Sequence, residues 1–192
     1  CDVVFVNFPN VDVVGHIENE RAVIRAVEAV DDHTGRVVGE ALRAGMQVIV
    51  TADHGTVEKW LYPDGVVDTG HTDSPVPFIL AGADVGLTLR REGELADVAP
   101  TVLEIMGIPS PSAMTGRSLI EACGNMPPVR RRLLFLILDG WGINEDRAGN
   151  LIARAGTPFM DGLWERFPHS KLKAAGEAVG WSVTAARMFI GR

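Results

Sequence analysis

Three short apolar runs, each closing on an acid, set the pattern of this chain. Val48-Ile49-Val50 runs into Thr51-Ala52-Asp53-His54-Gly55, and Val3-Val4-Phe5-Val6-Asn7-Phe8 runs into a loop carrying Asp12 and His16. The third, Leu133-Leu134-Phe135-Leu136-Ile137-Leu138, ends at Asp139-Gly140. Apolar runs of this length, without alternation, read as strands covered on both faces in a parallel sheet. From Glu18 to Ala44 the period changes. Val23, Val27, Val30, Val37 and Leu42 recur at helical spacing among charged residues, and Gly45 is a natural stop. His33, on this helix, reads as a surface or capping residue.

Further along, Lys59 to Asp73 is a polar excursion with turn signals at Pro63-Asp64-Gly65 and Gly70. Pro75-Val76-Pro77-Phe78-Ile79-Leu80 predicts a strand, and its prolines place it at a sheet edge or a strand start. Leu95 to Met106 predicts a short amphipathic helix stopped by Gly107, and Ser110 to Leu119 a loop. Thr157-Pro158 predicts a helix start, with Thr as N-cap and Pro at the first position. Met160, Leu163, Trp164 and Phe167 give its apolar face, and Leu172-Lys173-Ala174-Ala175 predicts a last short strand. Strands alternating with helices imply an α/β fold: one domain with a mostly parallel sheet flanked by helices.

Length and charge narrow the picture. A chain of 192 residues suffices for one such domain. A formal net charge of −7 argues against a nucleic-acid surface, and Arg130-Arg131-Arg132 reads as a solvated strand start. Cys1 and Cys123 give no disulfide framework. With no apolar stretch long enough for a bilayer and no signal-like segment, the expectation is a cytoplasmic protein without a membrane partner. Glu121 to Arg132 reads as a junction, within which Met126, followed by prolines and basic residues, resembles a start of translation.

The candidate chemistry lies at the ends of the three strands, where parallel α/β sheets collect ligands. Asp12 and His16, four apart, can share one face of a helical turn; taken alone they read as a solvated loop acid and a capping histidine. Asp53 and His54 are adjacent and point in different directions, so they serve different roles or approach one ion from a bent loop; His71 precedes a strand, and Asp139 suits a cap on the glycine turn. Together, Asp12, His16, Asp53, His54, His71 and Asp139 mix carboxylate and imidazole. That donor set suits manganese, zinc or iron rather than calcium. Six such residues exceed the needs of one four-coordinate ion and suit two ions clamping the ends of an in-line phosphoryl displacement.

Several segments resemble cofactor-independent phosphoglycerate mutase, of the alkaline phosphatase superfamily. They are Asn10-Val11-Asp12-Val13-Val14-Gly15-His16, Thr51-Ala52-Asp53-His54-Gly55, His71-Thr72-Asp73-Ser74-Pro75-Val76-Pro77, Leu138-Asp139-Gly140-Trp141-Gly142, Thr157-Pro158-Phe159-Met160-Asp161 and Lys173-Ala174-Ala175-Gly176-Glu177-Ala178-Val179-Gly180. The resemblance implies an alkaline-phosphatase-like sheet and two divalent metal ions, manganese ahead of zinc. Asp12, His16 and His71 would hold one ion, and Asp53, His54 and Asp139 the other. It also implies a serine that bridges to the second ion and becomes phosphorylated. Where the family carries Gly-Asn-Ser-Glu-Val-Gly-His, this chain has Gly180-Trp181-Ser182-Val183-Thr184, so Ser182 is the candidate nucleophile and metal ligand, with Thr184 in reserve.

The order of segments departs from the family. Residues 1–122 match its closing segment and 132–192 its opening one, joined at 123–131. The inserted domain that holds the glycerate is absent. The implied activity is interconversion of 3-phosphoglycerate and 2-phosphoglycerate in glycolysis, reduced toward phosphatase chemistry on a small phosphate ester. Two alternatives stand beside it: another phosphatase or phosphomutase of the superfamily, and an inert metal-binding scaffold. His169 reads as structural, and whether a separate partner supplies the missing domain is open.

Overall fold

A computed structural model of the chain describes residues 1–62, 64–82, 86–122 and 132–179. The junction at 123–131, with Met126, and both Ser182 and Thr184 lie outside the described residues. The strands are β1 (Val3–Phe8), β2 (Gln47–Thr51), β3 (Val76–Ala81), β4 (Thr88–Leu89), β5 (Glu92–Glu94), β6 (Ile120–Ala122), β7 (Leu133–Leu138) and β8 (His169–Lys173). The helices are α1 (Asn10–Gly15), α2 (Glu20–Arg43), α3 (Val98–Ile105) and α4 (Pro158–Arg166).

Six strands form one sheet in the order β1-β7-β2-β3-β8-β5, and β4 pairs with β6 in a separate ribbon. The late strand β7 lies between β1 and β2, parallel to both, with Phe135 in register with Phe5 and Ile49. The sheet is therefore completed only by chain from both sides of the junction. β3 runs antiparallel to β2 and β8, and β5 parallel to β8, so β3 alone opposes the common direction. β2 and β3 are buried at every position, and β7 at all but Ile137. These unbroken apolar runs are what the interior of a sheet covered on both faces demands.

The helices match the periodicity, with instructive shifts. α2 begins at Glu20 because the Asn19 side chain accepts a hydrogen bond from the Ala22 N–H at 3.1 Å. Its buried stripe runs Val23, Val27, Val30, Thr34, Val38, Ala41; Val37 and Leu42 sit at its margin, since the 3.6-residue period from Val30 lands on Thr34 and Val38. The segment from Leu95 opens with a 3-10 turn over Leu95–Asp97 before α3. β8 starts at His169 rather than Leu172, because Ser170 and His169 pair with Phe78 and Ile79.

The prolines mark the start of β3, one of the two placements expected of them, and β3 is an interior strand rather than an edge. Pro77 is tolerated because it lies one residue before the β2 ladder, whose register starts at Thr51 opposite Phe78. Thr157 occupies the N-cap position of α4 but its side chain makes no capping bond; its hydroxyl lies 3.3 Å from Asp161 Oδ1. Asp31 of α2 caps instead, accepting from the Phe159 N–H at 3.1 Å and the Met160 N–H at 2.8 Å. The bond ties α4 to α2, where Gly35 lets the Phe159 ring approach.

Candidate metal centre

The carboxyl ends of β1, β7 and β2, three adjacent parallel strands, meet at one edge of the sheet. Each delivers an acid there: Asp12 on the first turn of α1, Asp139 one residue past β7, and Asp53 two past β2. Backbone bonds fix their spacing, with the Asp139 N–H on the Phe8 carbonyl (3.1 Å) and the Asp12 N–H on the Asp139 carbonyl (3.2 Å). Gly140 makes this approach possible. Its φ is +82°, and a Cβ there would lie 2.9 Å from the Asp12 backbone.

Asp12 and His16 share a face of α1, as their spacing predicts, with His16 Nε2 3.2 Å from Asp12 Oδ1. His71 Nε2 lies 3.3 Å from the same oxygen. His54 Nε2 is 3.4 Å from Asp139 Oδ1, 3.7 Å from Asp53 Oδ2 and 3.8 Å from Asp12 Oδ1, and its ring stacks on His71 at 3.7 Å. The donor atoms converge into two overlapping groups, Asp12/His54/His71 and Asp53/His54/Asp139. A single Nε2 lone pair serves one ion. His54 belongs to both groups, and His16, in neither, adjoins them through Asp12 Oδ1.

The tautomers suit that role. His16 Nδ1 lies 2.5 Å from the Thr69 carbonyl and His54 Nδ1 3.2 Å from the Gly55 carbonyl. A carbonyl only accepts, so Nδ1 carries the proton in both rings and Nε2 faces the carboxylates. Electrostatics point the same way. Burial pushes the Asp139 carboxyl above its ordinary range, and the nearby Asp53 and Asp12 charges push it further. The hydrogen bond from Asn7 (3.3 Å to Oδ2) and the His54 ring oppose this only in part. Among the described residues, no Lys or Arg pairs with Asp12, Asp53 or Asp139, and their ion-pair partners are histidines. Three clustered carboxylates without a fixed cation are a site that a divalent ion would neutralise.

Five of the six predicted donors share these two groups, and His16 stands beside them against Asp12. His169 lies elsewhere, stacked on Trp164 at 4.0 Å, as a structural residue would be. Sequence reasoning missed the groups that hold the donors. Asn7 bonds Asp139, the Thr56 hydroxyl donates to Asp12 Oδ1 at 3.1 Å, and Glu58 is fully buried beneath the loop. The available signal was proximity, since Asn7 is next to last in an apolar strand and Thr56 and Glu58 lie within three residues of Gly55.

A mostly parallel sheet with paired carboxylate–imidazole groups at its carboxyl edge defines a metal-dependent enzyme class, and the comparisons agree. The model of the Metalloenzyme superfamily matches residues 1–110 and 131–187, and the chain belongs to that superfamily. It is similar to three enzymes named 2,3-bisphosphoglycerate-independent phosphoglycerate mutase. That of Cereibacter sphaeroides is 52% identical over 122 residues, covering 63% of this chain and 24% of the relative. That of Syntrophotalea carbinolica is 50% identical over 120 residues, 62% of this chain and 23% of the relative. That of Gloeothece citriformis is 43% identical over 141 residues, 67% of this chain and 26% of the relative. The chain spans about a quarter of the length of these relatives. Superfamily membership and the donor geometry together support divalent-metal binding at this cluster. Among the described residues, no helix is long and apolar enough to cross a membrane.

Proposed function

We propose that this chain is a phosphatase-type domain of a phosphoglycerate mutase, acting on a small phosphate ester of the phosphoglycerate class in the cytoplasm. The observation that supports the reading is the convergence of five candidate donors from both segments on one sheet edge, with His16 beside Asp12. Asp12, His16 and His71 would hold one divalent ion, and Asp53, His54 and Asp139 a second, with manganese ahead of zinc. When bound, the pair supplies Lewis-acid stabilisation of the charge that builds on a transferring phosphoryl group. The chain's own residues do the rest. The Asn7 amide turns Asp139 so that Oδ1 faces His54, and the Thr69 and Gly55 carbonyls hold the His16 and His54 rings in the metal-binding tautomer. The nucleophile in this reading is Ser182, with Thr184 in reserve, forming a phosphoserine that splits one transfer into two steps.

The domain reading is part of the proposal. Residues 1–122 and 132–192 are the family's closing and opening segments in reversed order, joined at 123–131 into one metal-binding domain. Assayed by itself, this 192-residue segment carries no matched glycerate-holding domain, so water is the acceptor and phosphatase activity exceeds mutase activity. The test is metal content by elemental analysis on the wild type and on Asp53→Ala, with aryl phosphate hydrolysis assayed alongside. About two ions per chain with turnover, both reduced in Asp53→Ala, are expected. Two ions without turnover favour the inert scaffold, mutase activity exceeding hydrolysis refutes the loss of retransfer, and no bound metal refutes the reading.

A further inference from the structure

Glu58 has no exposed surface, and among the described residues no Lys, Arg or His pairs with its carboxylate. A buried acid without a cation is held only if its oxygens receive hydrogen bonds. Oε2 accepts from the Thr56 N–H at 2.9 Å, and Oε1 accepts a short bond from the Thr72 hydroxyl. Both donors adjoin the metal centre. Thr56 follows His54 by two residues, and its hydroxyl donates to Asp12 Oδ1 at 3.1 Å and lies 3.4 Å from His54 Nδ1. Thr72 directly follows His71, and its N–H donates to the Gly55 carbonyl at 2.9 Å. A third loop joins through the backbone, where the Asn144 amide donates to the Glu58 carbonyl at 3.0 Å.

The surroundings are cut to this carboxylate. A Cβ on Gly55 would lie 2.4 Å from Glu58 Oε1, and one on Gly142 would lie 2.3 Å from Glu58 Cδ. Gly55 follows the donors Asp53 and His54, and Gly142 lies three residues after Asp139. The loops after β2 and β7 and the loop bearing His71 therefore close on one side chain that itself points at no candidate ion.

Resting on the reading of this cluster as a metal centre, we propose that Glu58 is its positioning residue: its buried carboxylate clamps Thr56 and Thr72 and so sets Asp12, His54 and His71 at metal-binding distance before any ion arrives. Groups that orient metal ligands from behind typically change affinity by about 10–100-fold when removed. Glu58→Ala is expected to weaken Mn²⁺ binding within that range, and Glu58→Gln less. The Gln carboxamide oxygen can still accept from Thr56, while its amide faces a Thr72 hydroxyl able to turn and accept.

The measurement is a Mn²⁺ binding isotherm on the whole chain, following free Mn²⁺ by electron paramagnetic resonance, with thermal melting in chelator recorded beside it. The control is Asp97→Asn, which disturbs a buried acid bonded to Arg90, Arg117 and Glu94 outside the centre. A purely structural role would make both substitutions lower the melting temperature and neither change the isotherm. Weaker Mn²⁺ binding in Glu58→Ala and, to a smaller degree, in Glu58→Gln, with Asp97→Asn binding as wild type, supports the proposal. If Glu58→Ala does not fold, Glu58→Gln decides alone. Wild-type binding with unaltered Glu58 variants overturns the positioning role and leaves the centre standing, as does equal weakening in Asp97→Asn. A wild type that binds no Mn²⁺ overturns the centre and the positioning role together.

Discussion

Replacing Gly142 by Ala tests the fit around Glu58 with one methyl group. Gly142 needs no left-handed backbone, so the substitution acts through space alone. The new Cβ would lie 2.3 Å from Glu58 Cδ and 2.5 and 2.6 Å from its oxygens, too close for either to remain in place. Glu58 cannot swing aside without giving up the Thr56 N–H and Thr72 hydroxyl. Inserting a methyl group into such a site costs about 1–3 kcal/mol. In a domain of this size that is a fall in melting temperature of about 2–12 °C. Glu58→Ala alone orphans two buried donors, at about 1–3 kcal/mol each.

The double variant distinguishes this cause from general damage. With Glu58 truncated, the methyl group introduced by Gly142→Ala has room, so that substitution adds almost nothing to Glu58→Ala. The coupling energy should then equal the whole cost of Gly142→Ala, about 1–3 kcal/mol, favouring the pair. Gly55→Ala is the contrast. Its Cβ would also lie 2.4 Å from Thr72 Oγ1, so Glu58→Ala relieves only part of its clash. Urea unfolding of the four proteins in chelator gives the cycle. Additivity within about 0.5 kcal/mol would refute the packing argument.

Two buried acids away from the centre should respond to pH with opposite sign. Burial pushes the Asp97 carboxyl up, but bonds from the Arg117 N–H, the Arg90 guanidinium and the Glu94 N–H outweigh it and hold its pKa below the ordinary 3.8. Its stabilisation is thus full above pH 3.8 and is lost as pH falls through the folded-state value. Asp97→Asn turns an amide against donors at 2.8–3.1 Å and is expected to cost about 2–4 kcal/mol at pH 7, a gap that narrows in acid denaturation below 3.8. Burial outweighs the Met160 and Phe159 N–H bonds at Asp31 and raises its pKa above 3.8, with Asp161 and Asp32 adding to the rise. Wild-type stability from Asp31 therefore falls as pH climbs through that window, so Asp31→Ala, costing about 1–2 kcal/mol, should be less harmful at pH 7 than at pH 4. Urea midpoints measured across pH check both, and a parallel trend for the two would refute the assignment.

What could be read from the sequence and what could not divides along a physical line. β2 and β7 were legible because unbroken apolar runs report burial on both faces, and the three strand-end acids were legible because a parallel sheet gathers its strand ends. The grouping of these residues was not legible from spacing: the Asp12 and Asp139 loops approach because Gly140 has φ +82° and no Cβ, a fact of φ and contact. The prolines left edge and strand start open, and the structure has the strand start. Proline forbids a ladder bond, but only the observed register shows that none was needed opposite β2 at that residue. Thr157 holds the N-cap position as read, while the N–H bonds go to Asp31, more than a hundred residues earlier. Glu58 was silent because a lone Glu after a Gly loop is ordinarily solvated. Its role depends on three loops closing over it, and the two glycines that make room for it carry the only trace in the chain. Local chemistry names the donors of such a centre, whereas the residues that hold them are specified by neighbours distant in sequence.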